Sequence, residues 1–244
     1  MLLAGFLVPA LPEFGEFSST AAYLNEVKND LRLIQPETII LIVQSDLHND
    51  EAISFEIADP YLGSLLELGD LGLPATYHPD FQLIDKLQRV LRQFDWPVTL
   101  NTNNQLPLQA SIVLNQLLAD KNPVLKILPV LIGTASAKEH YHIGQILREV
   151  CDQIARKVVV VAVGNLPGFG LAISEEIVTK LKGGNVTGLL TAANNRTDET
   201  TAAIDRTIGF LLGLMDGWQI KGEVLSYEGS SQLAYLIARF SPDK

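Results

Sequence analysis

The residues best equipped for chemistry lie in one short segment, Gln44-Ser45-Asp46-Leu47-His48-Asn49-Asp50-Glu51. Carboxylates and an imidazole in one loop can hold a divalent metal or pass protons, and the same composition also suits a solvated polar loop. His140-Tyr141-His142 has the residue types of a ligand pair. On a helix, positions i and i+2 diverge by about 200°, so two such imidazoles cannot share one metal. The helical stripe that follows begins at Ile143, which sets both histidines at the N-terminal end of that helix. Gly164-Asn165-Leu166-Pro167-Gly168-Phe169-Gly170 follows an apolar run and precedes a helical pattern, a context in which backbone N–H groups can cradle phosphate. It matches neither G-x-G-x-x-G nor a P-loop and has no Lys or Arg beside it, so a tight turn is the expected role. No G-x-S-x-G elbow occurs, and an α/β-hydrolase would lack its nucleophile.

The elements that must position these groups can be read from hydrophobic periodicity. Thr38–Val43, Val124–Ile132 and Lys157–Val163 are short apolar runs, rich in β-branched residues and without alternation. Strands covered on both faces in the interior of a parallel sheet read this way. Met1 to Ala10 is apolar but lacks a basic leader and a small-residue cleavage site, so a buried first strand is expected rather than a signal peptide. Helical spacing marks Leu24/Val27/Leu31 with Ser18, Ser19 or Thr20 near the N-cap, and Ile84/Leu87/Leu91/Phe94. It also marks Ile143/Ile146/Leu147/Val150/Ile154, Ile173/Ile177/Leu181 ahead of Gly183-Gly184, and Ile204/Ile208/Leu211/Leu212/Met215 ahead of Gly217. Gln219–Tyr227 and Leu233–Ile237 read as closing strands, and Asp46–Tyr77 as the longest irregular region. Alternating strands and helices predict an α/β fold of three layers, α/β/α, with a mixed, largely parallel central sheet. Sites in such folds lie at the carboxyl ends of the strands.

Composition sets the outer bounds. With 244 residues, 47% of them apolar, the chain can bury enough surface to offset its ordering entropy, which excludes disorder. The longest apolar runs fall far short of the roughly 20 residues that span a bilayer. Eighteen basic against 28 acidic residues give a formal charge of -10. Such a surface repels phosphate backbones and anionic lipid, so neither nucleic acid nor membrane is an expected partner. One cysteine, Cys151, can form no internal disulfide and no multi-cysteine metal site, which fits a cytoplasmic location.

The order of the pieces resembles one family, the class III extradiol ring-cleavage dioxygenases of the catalytic-subunit-B type, with their Memo-like relatives. The resemblance runs over nearly the whole chain, as one domain spanning 1–244. It is carried by Val8-Pro9-Ala10-Leu11-Pro12, by Gln35-Pro36-Glu37-Thr38-Ile39-Ile40-Leu41-Ile42-Val43-Gln44-Ser45-Asp46 and by Leu128-Pro129-Val130-Leu131-Ile132. Ser136, Glu139-His140-Tyr141-His142-Ile143-Gly144 and Val163-Gly164-Asn165-Leu166-Pro167-Gly168 follow. Its most specific part is Val224-Leu225-Ser226-Tyr227-Glu228-Gly229, with Tyr235-Leu236-Ile237-Ala238 after it.

The resemblance implies non-haem Fe(II) held by two His and one carboxylate, a catechol-type substrate, dioxygen, and a further His as acid/base. At the matching positions this chain has Ala10 for the first His ligand, Asp46 for the second, Gly168 for the acid/base His, and Ala203 near the third ligand with Asp205 just beyond. The expectation is therefore a divergent homologue that has lost its iron ligands and acts as a non-catalytic binding or assembly protein. No cofactor is expected, and a homo-oligomer or a partner subunit is. Two alternatives stand beside it. One is an active Fe(II) dioxygenase with a rearranged ligand set such as Asp46, His48 and Glu51. The other is a binder of a small aromatic ligand in the vacated pocket, with Ala10, Asp46, His48, Asn165, Ala203 and Glu228 as candidate lining residues.

Overall fold

The computed structural model describes residues 1–10, 18–45, 51–118, 124–167, 171–218, 222–229 and 233–242. In chain order these form β1 (Leu2–Val8), α1 (Ser18–Ile34), β2 (Thr38–Gln44), β3 (Ile53–Glu56), β4 (Tyr61–Gly63), β5 (Ala75–Pro79), α2 (Phe81–Gln93), β6 (Val98–Asn101) and α3 (Leu108–Leu117). Then come β7 (Lys126–Ile132), α4 (Ala137–Gln153), β8 (Val158–Val163), β9 (Leu166–Pro167), α5 (Leu171–Lys182), α6 (Val186–Ala193), α7 (Glu199–Leu214), β10 (Glu223–Gly229) and β11 (Leu233–Phe240). The architecture is three-layered α/β/α around a mixed, largely parallel sheet, with strand order β10-β11-β1-β8-β2-β7-β3-β6.

The three non-alternating runs are its centre. β8 pairs in parallel with β1 and β2, and β2 pairs in parallel with β7. Each strand sends successive residues to opposite layers, the consequence of a two-residue side-chain period. Ile40, Ile42, Val158, Val160 and Ala162 join the core under α2, α4 and α7. Ile39, Leu41, Val43, Val159, Val161 and Val163 join the core under α1 and α3. Both layers are apolar, so alternation is absent from the sequence. The observed strands begin slightly later than the runs suggest, at Lys126 and Val158, and the last two run Glu223–Gly229 and Leu233–Phe240.

Three expectations are corrected. The 46–77 region is not irregular throughout, because β3, β4, a 3-10 turn at Leu66–Leu68 and the start of β5 lie within it. Helix α4 starts at Ala137, not at Ile143, so His140 and His142 are inside it. A capping box starts it: Glu139 N–H donates to Ser136 Oγ, and Ser136 N–H donates to the Glu139 carboxylate. Phe94 is no part of the buried stripe of α2; it follows the helix and is exposed.

The tightest packing is between α4 and α7. A Cβ added at Gly209 would overlap the Ala137 carbonyl, one at Gly213 the Tyr141 carbonyl, and one at Gly144 the Phe210 carbonyl. Backbones this close leave no room for any side chain at the crossing. At the opposite end of the strands, buried Asp80 accepts from Thr38 Oγ1 at 2.7 Å, from Arg156 Nη1 at 2.5 Å on both oxygens, and from Leu83 N–H as the N-cap of α2. That network ties the starts of β2, α2 and β8 together.

Candidate functional site

Parallel strands put their carboxyl ends at one edge of the sheet, and several of the expected residues gather there. Ala10 lies two residues beyond β1 and Asn165 two beyond β8, strands that pair in parallel with Val8 opposite Val163. β11 runs antiparallel to β1 and β10 antiparallel to β11, with Glu228 opposite Tyr235, which returns Glu228 to the same edge. Gly164 N–H donates to Val8 O at 3.0 Å, continuing the ladder past the strand end.

Ala10 and Asn165 are in direct contact. Ala10 N–H donates to Asn165 Oδ1 at 3.0 Å, and Asn165 Nδ2 donates to Ala10 O at 3.3 Å. Ala10 is buried, so its main-chain groups need partners, and one carboxamide serves both. The carboxamide thus holds the exits of β1 and β8 together.

Glu228 is engaged by α1. Thr20 N–H donates to Glu228 Oε2 at 3.1 Å, the Thr20 hydroxyl donates to the same oxygen, and Thr20 Oγ1 lies 3.4 Å from Ser226 Oγ. A carboxylate here satisfies orphan N–H groups and opposes the positive end of the helix dipole. Sequence spacing placed a local Ser or Thr near this cap; the observed carboxylate comes from more than 200 residues away.

Helix α7 meets the same edge. The space in front of Gly164 is filled by Ile204, with Thr207 beside it, so Ala203 sits in the turn of α7 that faces the Gly164-Asn165 exit. Asp198 caps this helix, accepting from Thr201 N–H and Thr201 Oγ1 at 2.8 Å each. Beside α7 is a cleft of about 220 Å³ whose lining includes Ser136, Asn194, Arg196, Ala202, Asp205 and Arg206. Arg196 bridges Asp205 Oδ1 and, at 3.1 Å, Glu176 Oε2, while Arg206 pairs with Glu199. Burial pushes the Asp205 carboxyl above its ordinary range, and the Arg196 hydrogen bond opposes that.

His140 lies at the base of this region, fully buried, its ring 6.3 Å from that of Phe210 between centroids. Burial pulls its pKa down to about 4, the hydrogen bond to the Ser136 backbone opposes this, and the charge of Arg206 adds to it. Its Nδ1 is 3.0 Å from the Ser136 carbonyl, which only accepts, so Nδ1 carries the proton and Nε2 a free lone pair. His140 Nε2, Asp205 Oδ2 and Arg206 Nε are buried with no hydrogen-bond partner among the described residues. Such groups bear a desolvation cost that a bound polar molecule or water would relieve.

Asp46, His48 and Gly168 lie outside the described residues. Glu51 is exposed. His140 and His142 point apart, as i and i+2 on a helix must: one is buried and the other exposed beside Gln145. His78 is exposed, 2.8 Å from Asp59. Among the described residues no group of three or more His, Cys, Asp or Glu is placed to hold a metal. Of the positions that the resemblance assigns to ligands, the described ones, Ala10 and Ala203, carry no side-chain donor for Fe(II). Sequence reasoning missed Arg196 and Arg206, because no spacing rule links them to Glu176 or His140; Ser136-x-x-Glu139 was a usable signal that His140 lay within a helix.

No family model matches the chain. It is 23% identical over 269 aligned residues to Protein CA_C1420 of Clostridium acetobutylicum, an alignment covering 98% of this chain and 58% of that protein. The chain thus spans a little over half the length of that relative. Among solved structures it is similar to the uncharacterized protein JW3007 of Escherichia coli K12, with a TM-score of 0.68 at 14% identity over 98% of this chain and 100% of that one. Likeness at that identity concerns the fold alone.

Proposed function

We propose that this protein is a non-catalytic binding or assembly protein on a scaffold similar to that of the class III extradiol dioxygenases. The reading rests on the ordered residues of the sequence, and the observation that carries it is the Ala10–Asn165 contact. Where the resemblance calls for the first histidine ligand, the chain has an alanine whose N–H and C=O are both bonded by one carboxamide. Alanine offers no side-chain lone pair, so a metal at this position would lack its first histidine ligand. The test is metal content after anaerobic supply of Fe(II), followed by an assay for catechol ring cleavage. Protein that emerges without iron and without ring-opening activity fits the proposal.

A second reading is favoured by the cleft beside α7. A small polar molecule there would have Arg196, Asp205 and Arg206 around it. Asp205 Oδ2 and Arg206 Nε, buried without a hydrogen-bond partner among the described residues, would reach it after a small side-chain rotation. Since the groups are of both charge signs, a ligand with donor and acceptor side by side, such as a carboxamide, suits them better than a simple anion. Saturable chemical-shift changes at Asp205 and Arg206 on adding small amides would support this reading; their absence would remove it. No helix among the described residues is long and apolar enough to cross a membrane.

A further inference from the structure

Helix α6 is held to the fold by little apolar burial. Of its eight residues only Leu189 is buried, against eight in α4 and twelve in α7. A segment with one side chain in the core opens at low cost relative to global unfolding. Within itself α6 is well made. Asn185 caps it, accepting from Gly188 N–H at 2.8 Å, and Leu189 N–H donates to Asn185 O at 3.0 Å. Ahead of it Gly184 sits at φ +64°, a left-handed conformation that glycine adopts without strain. Behind it a short connection runs to Asp198, the cap of α7. α6 is thus a self-capped unit between two short connections, the arrangement from which hinged lids are built.

Polar contacts supply much of the rest of its attachment. Lys180 of α5 donates to Gly188 O at 3.0 Å. Arg196, in the connection behind α6, pairs with Glu176 of α5 at 3.1 Å and with Asp205 of α7. The Arg196 and Asp205 side chains are 8% and 4% exposed, so this guanidinium is a buried pin for the segment. The same segment walls the cleft of about 220 Å³ beside α7: Ala193, Asn194 and Arg196 belong to its lining. Asp205 and Arg206 line it from α7, each keeping a buried polar atom without a partner among the described residues.

We infer that α6 is a lid over this cleft, latched shut by Arg196. Opening about Gly184 and the 196–198 connection withdraws one leucine side chain and separates Arg196 from its two carboxylates, which water then solvates. The sheet and the α4–α7 crossing stay in place. In the open state Asp205 and Arg206 are free to turn towards an entering polar molecule. A ligand that donates to Asp205 Oδ2 leaves Oδ1 to Arg196, so the lid can close over it. The inference deepens the reading of this cleft as a ligand site, but the motion belongs to the unliganded chain. A lid that opens on a cleft taking no amide would remove the ligand and leave the lid.

The test is hydrogen exchange on the full chain. Amides of 189–193 should exchange as one group, through an opening far less costly than the one that releases Leu211 and Leu212 of α7. Arg196→Gln should speed that group about a hundredfold, because it removes a buried charge partner that only the closed lid uses. Glu176→Gln keeps the Arg196–Asp205 pair and should still fold if Arg196→Gln does not; it should speed the group about threefold. Access to the cleft is read separately, by the rate at which a bulky maleimide labels an Ala202→Cys chain. Native Cys151 is fully buried and does not compete. Labelling should be slow, and each latch variant should speed it by the factor seen in exchange. Amides of α6 that do not respond to either variant would show a helix that frays without unlatching, and would overturn the inference. So would labelling at a rate that neither variant changes, because the cleft would then be open without the lid.

Discussion

Asn165 holds Ala10 by both of its main-chain groups, through hydrogen bonds of 3.0 and 3.3 Å across the exits of two adjacent parallel strands. Asn165→Ala would leave a buried N–H and a buried C=O without partners, at a cost of about 1–3 kcal/mol. Asn165→Asp keeps an acceptor for Ala10 N–H but sets a carboxylate oxygen against Ala10 O, and should cost at least as much at neutral pH. Urea unfolding of the three proteins measures both effects. An unchanged midpoint in Asn165→Ala would show that the contact contributes nothing.

Asp80 should dominate stability at the other end of the sheet. Burial works to raise its pKa, but hydrogen bonds from Arg156, Thr38 and Leu83 outweigh that and hold the carboxyl below its usual range. Because the folded value is depressed, the stabilisation is fully present above the unfolded value, near pH 4, and is lost as pH falls through the folded value. Asp80→Asn should cost about 3 kcal/mol at pH 7, since it leaves the Arg156 guanidinium without its charge partner. The gap between wild type and variant should narrow below about pH 4 in denaturant titrations; a gap that stays constant contradicts the assignment.

His140 acts in a different pH window. Its folded pKa is about 4, against an ordinary value near 6.5. Between those limits the unfolded chain binds a proton that the folded chain does not, so stability falls as pH is lowered from about 6.5 towards 4. The full difference corresponds to about 3 kcal/mol. His140→Gln removes the titration and should flatten this part of the profile, measured by urea unfolding from pH 7 to pH 4.5. A wild-type profile already flat across that window would contradict the buried, neutral imidazole.

Gly213 tests the helix crossing. Gly213→Ala drives a methyl into the Tyr141 carbonyl and should cost about 1–3 kcal/mol, because backbone on both sides resists displacement. Gly183→Ala meets its nearest atom at 3.4 Å and serves as the control. Equal thermal shifts in the two variants would show that the crossing is looser than described.

What could be read in the sequence followed from how each element is buried. β2, β7 and β8 declared themselves because both faces are covered, and α4 and α7 because their apolar positions recur at helical spacing. β3 to β6 gave no such signal: they are three to five residues long, and Ile53-Ser54-Phe55-Glu56 is fully buried despite its polar members. α3 was invisible for another reason. Its run Ala110 to Leu114 is buried on nearly every side, so no 3.6-residue contrast remains. Of the site, Ala10 and Asn165 were named, but not their bond, since 155 residues separate them. The function of Glu228 as a cap and the Arg196–Asp205 pair were equally hidden, because both depend on contacts formed only when α1, α6 and α7 are in place.

The proposed function requires that the edge formed by the exits of β1 and β8 hold no iron. Its most direct test is iron stoichiometry in protein reconstituted anaerobically with Fe(II), dialysed, and measured by elemental analysis. The account predicts iron far below one equivalent per chain, with no change when Asn165 is replaced by alanine. One equivalent surviving dialysis, with ring-cleaving activity towards a catechol, would contradict it and return the ligand search to Asp46, His48 and Glu51.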